Sequence, residues 1–426
     1  MGLRSKLFRA GAALAVMAGV SLGTMTSAFA QKVQIEYWQY FFEGRVKAID
    51  ALIKTFEAQN PDIKVVHTHF PYEQYRTKVA AAVPAGEGPD VVQLFYGWLD
   101  EYRKAGLLQP LSKEAFDPAQ IEKDFFPMVQ AMKAEGQYWA MPTAVRSLAL
   151  FWNKRLFKEA GLDPEKPPQT NEELLAMAQK LTKRDATGNL LVAGMTISPE
   201  GQDHHWWREV LVRQFGGKPY TDDNKKVTYN DEAGVKALTW YTDLMTKHKI
   251  GEIGFMDEGQ AAFRAARAAM TVDGSFRLAA FDRQRGLDYG VAELPAHNGV
   301  KSNYASYWVN GVTSKAKAEK RAAAEKFLKH ITTPEAMQVW LKEVGELPAR
   351  KDAALTKENT EHPKYGAFIK GLDYAHATQF VAEADQRKIA MDMIDRVRLQ
   401  NVSPADALKE AAEKEQKILD TYYGAK

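Results

Sequence analysis

No cysteine occurs anywhere in the chain. That absence excludes disulfides, thiol nucleophiles and cysteine-ligated zinc. It also excludes a lipid-modified cysteine close behind an export signal. The strings HExxH, GxxxxGK[ST] and GxGxxG are missing too, and GxSxG occurs only at Gly19–Gly23, inside the apolar leader, which takes away the usual marks of hydrolases, zinc proteases and nucleotide binders. No calcium loop is visible. His67 and His69 form an isolated pair with no third ligand nearby, and the neighbours His204 and His205 point about 100° apart on a helix. No metal and no cofactor is therefore expected. Paired carboxylates for glycoside hydrolysis cannot be dismissed by counting, because Asp and Glu are plentiful, so a secreted hydrolase stays as the lesser alternative. Solenoid repeats and Gly- or Ser-rich tethers are likewise lacking.

Long apolar runs are scarce. The one near the start, Ala10–Val20, is shorter than the roughly 20 residues of a membrane span. It follows Arg4, Lys6 and Arg9 and precedes Ala28-Phe29-Ala30, the pattern of a secretory signal peptide, residues 1–30, cleaved after Ala30. The formal net charge of the whole chain is +3, and the leader carries all three of those excess charges. The remaining chain, Gln31–Lys426, is neutral, without a basic stripe for nucleic acid or a polybasic arm for membranes. It is expected to be a soluble periplasmic protein, monomeric by default, held by a large core rather than by disulfides. With 45% hydrophobic and 26% charged residues in 426, two domains are the natural prior.

The order of elements is α/β. Val33–Trp38 alternates as a strand, and Val46, Ile49, Leu52, Ile53 and Phe56 recur at helical spacing up to Asn60-Pro61. Ile63–His69 reads as a strand, Tyr72–Val83 as a helix and Asp90–Phe95 as a strand. Such a βαβαβ order predicts a mostly parallel sheet whose ligands sit beyond the strands' carboxyl ends. Tyr40, Phe41, Gln93, Phe95 and Tyr96 then share a rim. Alternation resumes after residue 170, where Thr170 and Glu173 form a capping box, and the chain after Pro348 is helical.

Between Tyr138 and Lys154, Pro142 ends one extended run and Leu148–Trp152 forms another. This is either a hairpin or a crossing between two lobes. Similar crossings recur at Tyr289–Pro295 and Gly345–Arg350.

Five motifs in order carry a resemblance: Gly88-Pro89-Asp90-Val91-Val92, Gly106–Leu111, Ser147–Lys154, Met270–Phe276 and Val291–Pro295. Together, behind a signal peptide, they resemble the periplasmic solute-binding proteins of bacterial ABC importers, in the carbohydrate-type group typified by maltose-binding protein. The resemblance implies a two-lobe periplasmic-binding-protein fold with strand hinges and an interlobe ligand cleft. The lobes would be 31–147 plus 295–346 and 148–292 plus 349–426. It also implies binding by hinge closure rather than catalysis, with a small-molecule solute and membrane permease subunits as partners. By position, Arg146 would face the cleft and Phe276 would stack on sugar where a Trp is more usual. Gln93, Phe95 and Tyr96 would supply one loop of contacts, and Trp38, Tyr40 and Glu43 another. The stretch His204 to Trp207, with Trp206 and Trp207, would line the second lobe. Gly274, Ser275 and Arg277 of the same turn, Trp308 and Arg350 complete the expected ligand-binding set. Arg146 stands where a maltose-type cleft commonly has a carboxylate, which argues against maltose.

A neutral sugar needs flat apolar faces with forked donors and acceptors. Arg146, Arg277 and Arg350 add a sharper option, because guanidinium binds carboxylate, sulfate or phosphate bidentately. The solute would then be a sugar, glycoside or polyol with an anionic group. Alternatively, each arginine pairs with a local acid such as Asp273 or Glu346.

Overall fold

The computed structural model describes residues 32–256, 259–378 and 380–424. The leader 1–30 and its cleavage site lie outside them. Strand β1 (Val33–Tyr40) buries Ile35, Tyr37 and Gln39 in alternation. Helix α1 (Glu43–Gln59) buries Ile49, Leu52, Ile53 and Phe56 at the expected spacing. It stops at Asn60, whose side chain donates to the Phe56 carbonyl at 2.8 Å. Strand β2 (Ile63–Phe70) and, after helix α2 (Tyr72–Ala82), strand β3 (Val91–Phe95) both pair parallel to β1. The predicted parallel unit is therefore present, in the order β2-β1-β3.

The sequence reading ends an extended run at Pro142, yet β4 runs unbroken from Ala140 to Asn153. Proline is tolerated because it stands opposite Val309, where the ladder slips between Trp308 and Val309 and a bulge needs no amide donor. Strands β5 (Met270–Gly274), β6 (Tyr289–Ala292) and β7 (Asn303–Val312) complete the central framework. Residues Ala140–Ser147 of β4 pair with β7, whereas Leu148–Trp152 pair with β5 and Leu150–Asn153 with β6. One strand thus serves two sets of partners, so the segment is a crossing and not a hairpin. The resulting path is β6-β4-β7-β3-β1-β2, with β5 joined to β4. Leu347 lies alongside, exchanging both backbone hydrogen bonds with Val145 at 2.8 and 2.9 Å.

Helix α3 (Asn171–Leu181) starts at Thr170, whose hydroxyl accepts from the Glu173 amide at 3.1 Å. The Glu173 carboxylate in turn accepts from the Gln169 amide at 2.7 Å, one residue before the expected place. Helix α4 (Glu232–Thr246), α5 (Ala318–Ile331), α6 (Pro334–Val344), α7 (Glu383–Gln400) and α8 (Pro404–Tyr423) follow. Two large apolar clusters form among the described residues, beside a small one of Tyr220, Val381 and Leu419. The first is built on β1–β3, α1, α5 and α6, and the second on α3, α4, α8 and the Trp206–Leu211 helix. Phe368 and Ile369 pack in the first cluster, Phe368 against Phe151 at 5.7 Å between ring centres. Among the described residues, no helix is long and apolar enough to cross a membrane.

Candidate ligand-binding cleft

In β4 every residue but one is buried, and the exception is Arg146. It is the one charged residue in fourteen, and its side chain emerges into a cavity of about 630 Å³. That volume lies within the ordinary range for small-molecule sites. A cavity of about 290 Å³ adjoins it at Glu200–Gln202, Arg277 and Arg387, and cavities of about 710 and 380 Å³ lie elsewhere. Of these last two, the larger is an open groove near Lys104 and Tyr422, and the smaller is a recess beside Arg350. The Arg146 cavity is singled out by chemistry, because aromatic faces and guanidiniums converge there where the crossing strands meet.

One wall is aromatic. Tyr40, at the carboxyl end of β1, lies 4.4 Å from the Trp308 ring of β7, and Phe95 and Trp98 stand against Trp308 at 5.9 and 5.5 Å. These rings close the end of the parallel sheet, where loops leave the strands. Across from them, Phe276 sits in the turn after β5. Gly274 makes that placement possible, because a Cβ there would stand 2.2 Å from Cε1 of the Phe276 ring.

Each of these walls is backed by a cation. The Arg146 and Arg277 guanidiniums lie 4.8 and 5.0 Å from the Phe276 ring centre. Arg76 stands 5.2 Å from Trp98, and the buried Arg45 stands 4.6 Å from Tyr40. The cavity lining carries four guanidiniums, Arg76, Arg146, Arg277 and Arg387, against two carboxylates, Glu200 and Glu383. Arg146 pairs with the buried Glu346, and Arg277 donates to Asp273 at 2.8 Å. Burial would raise the Glu346 carboxyl, but Arg146 and Arg45 hold it down at about 2. Burial pushes Asp273 upward, opposed by Arg277.

His204 and His205 also line the cavity. His205 stacks on Tyr304 at 3.9 Å and 9°. Burial, helped by Arg387 and Arg208, pushes the His204 imidazole down to about 3, and that ring is neutral at physiological pH. Its Nδ1 lies 3.0 Å from the Pro199 carbonyl, which can only accept. Nε2 of His204 is therefore a bare acceptor, and it has no partner among the described residues.

The structure brings together Tyr40, Phe95, Arg146, Phe276, Arg277 and Trp308 of the expected set. Trp38 is two residues short of the strand end and packs on Phe70 at 5.0 Å. Phe41 points outward beside His69, and Glu43 pairs with Lys47 at 2.7 Å on the surface. Gln93 is fully buried, its amide 3.4 Å from the Tyr37 hydroxyl. Tyr96 is buried too, stacked on Tyr307 with its hydroxyl 3.2 Å from that of Tyr304. Trp206 and Trp207 fall on the core side of their helix, against Trp240 and Tyr229, while the preceding histidines take the cavity side. Gly274 and Ser275 are buried beneath Phe276 and support it rather than line the wall. Arg350 is elsewhere, held by Asp124 and Asp352 at 3.1 and 2.7 Å.

Sequence reasoning missed Tyr72, Arg76 and Trp98 in the first half of the chain. It also missed Glu200–Gln202, Tyr304, Ser306, Glu383 and Arg387. Only the four-residue spacing of Glu383 and Arg387 at a helix start could have flagged any of them.

The model of bacterial extracellular solute-binding proteins matches residues 51–367. The sn-glycerol-3-phosphate-binding periplasmic protein UgpB of Shigella dysenteriae serotype 1 is 28% identical over 442 residues, covering 94% of this chain and 96% of the relative. The cyclic alpha-maltosyl-1,6-maltose binding protein of Arthrobacter globiformis superposes with a TM-score of 0.80 at 22% identity, over 92% of this chain and 100% of its own. UgpB of Mycobacterium tuberculosis, in complex with glycerophosphocholine, gives 0.76 at 19% identity, over 91% and 98%.

Proposed function

The chain belongs to the bacterial extracellular solute-binding protein family and is the solute-binding component of an ABC importer, and from that premise we propose that its cargo is a sugar, glycoside or polyol bearing an anionic group. One observation carries this reading: aromatic rings and guanidiniums line a single cavity together, Tyr40 and Trp308 with Phe276, Arg146 and Arg277, and Arg146 reaches the Tyr40 hydroxyl at 3.4 Å. Rings cover the apolar face of a polyol carbon chain, and a fixed cation supplies the contact that a phosphate, sulfonate or carboxylate needs. The carbohydrate and glycerol phosphate named for the relatives fall on the two sides of this description.

The protein binds without turnover. The lobes, 31–147 plus 295–346 and 148–292 plus 349–426, close by bending where Arg146, Ser306 and Leu347 lie side by side, and solute contacts to both sides bias closure. The closed monomer then delivers its cargo to the permease from the periplasm, after export and cleavage behind Ala30.

The test is thermal denaturation of the purified protein, stripped of copurifying solute by unfolding and refolding. Neutral sugars, polyols, glycerol phosphates and anionic glycosides form the panel. Saturating solute at a hundred times its Kd adds about 2.7 kcal/mol, an easily measured rise in midpoint. A rise with anionic compounds is expected. A rise with neutral sugars alone rejects the anionic part, and hydrolysis of a chromogenic glycoside rejects the binding-only reading.

A further inference from the structure

Beneath the cleft lies a cluster of three guanidiniums and two carboxylates. Arg146 and Arg45 both donate to the same oxygen, Oε1 of Glu346. The other Glu346 oxygen accepts from the Trp340 indole at 2.8 Å. Arg277 and Asp273 form the remaining pair, and Asp273 lies in the field of Arg146 as well. Three positive charges against two negative leave one in excess.

The excess traces to Arg45. It is 1% exposed and does not line the cavity. Its Nε and Nη1 meet no acceptor among the described residues. Its guanidinium instead lies 4.6 Å from the Tyr40 ring centre and 5.7 Å from that of Trp308. Both rings are walls of the cleft. The charge thus sits directly behind the surface that a solute touches. A buried cation sharing another residue's counter-ion is unfavourable for folding, and methionine would fill the same space without that penalty.

We infer that Arg45 is a specificity-determining residue: by sharing Glu346 with Arg146 it leaves the cleft floor one positive charge in excess, so the cleft admits an anionic group and rejects a cationic one. This inference rests on the cavity being the solute site. Tyr40, Trp308, Phe276 and Trp98 each already face a guanidinium, so they cannot form a cage for a quaternary ammonium. A second cation on their free faces is repelled by the first.

The experiment has two readouts on wild type, Arg45→Met, Arg45→Lys and Glu346→Gln. Inorganic sulfate is titrated while the thermal midpoint is followed, which requires no knowledge of the cargo. Calorimetry then compares sn-glycerol 3-phosphate, glycerol and glycerophosphocholine. Half-saturating sulfate should rise about tenfold in Arg45→Met, the effect of losing a through-space attraction from a charge behind the wall. Arg45→Lys should restore it, and Glu346→Gln should lower it below wild type. If Arg45→Met does not fold, a half-saturating sulfate below wild type in Glu346→Gln, with the wild-type value kept in Arg45→Lys, still decides. Equal sulfate response in all variants overturns the inference, as does tighter binding of glycerophosphocholine than of sn-glycerol 3-phosphate. If no organic solute binds but sulfate follows the expected order, the cargo reading fails and the role of Arg45 stands. Solutes binding with a flat sulfate series give the reverse.

Discussion

The Arg146 guanidinium stacks on the Phe276 ring, 4.8 Å from its centre. One residue comes from the crossing strand and the other from the turn after β5, so a solute held here would touch both of these elements.

Replacing Phe276 by Ala should therefore weaken solute binding about tenfold, the value of one lost aromatic face, with little effect on the unfolding midpoint of the empty protein. Gly274→Ala should do nearly the same from beneath, because its Cβ drives the ring out of place. Calorimetry with the solute found in the screen checks both. An unchanged Kd in Phe276→Ala would remove this ring from the site.

Glu346 predicts an acid limb. Its folded pKa of about 2 lies below the ordinary 4.5, so its stabilisation is present above pH 4.5 and is lost as pH falls through 2. The linkage amounts to about 3 kcal/mol. Urea unfolding at pH 6, 4 and 3 should show Glu346→Gln well below wild type at pH 6, with the gap closing on acidification. A constant gap contradicts the assignment.

Asp203 predicts the opposite slope. It lies under the Glu200–Gln202 loop, accepting from the Ser198 amide at 2.7 Å and the Tyr241 hydroxyl at 2.9 Å. Burial, despite those bonds, pushes its carboxyl from 3.8 up to about 7. Stability from this group is full below pH 3.8 and declines as pH rises through 7. Asp203→Asn retains an acceptor oxygen and should unfold at a higher temperature than wild type at pH 8, by an amount that shrinks at pH 5. Lower stability than wild type at pH 8 would show that the carboxylate form is the one the fold requires.

Trp206 and Trp207 separate core from site. Truncating either to Ala should cost about 3–5 kcal/mol of stability, while the folded fraction keeps its affinity. Denaturant titration and calorimetry measure the two effects independently. A variant of wild-type stability with lost binding would place that indole at the solute.

Elements with local causes were legible. The periodicity of Ile49 to Phe56, the Thr170–Glu173 cap and the strand Ile63–His69 all follow from neighbours in the chain. The site was legible only where position along the chain implies a place in the fold. Tyr40 and Phe95 are at strand ends, and Arg146 is the lone charge in an apolar strand. Trp206 and Trp207 carry the residue type of a sugar site, but two helix positions turn them from the cavity to the core. Gln93 looked like a polar contact because nothing local shows that Tyr37 waits for its amide.

By itself the sequence determined the α/β order, the family resemblance and the presence of arginines near a crossing. All of these depend on composition, period and motif order. Only the tertiary structure decided which groups share a volume. Arg45 and Glu346 are 301 positions apart, as Arg146 and Glu346 are 200 apart, and no local pattern links them. Net charge in the cleft is a sum over such distant pairs, and it exists only once the chain has folded them together.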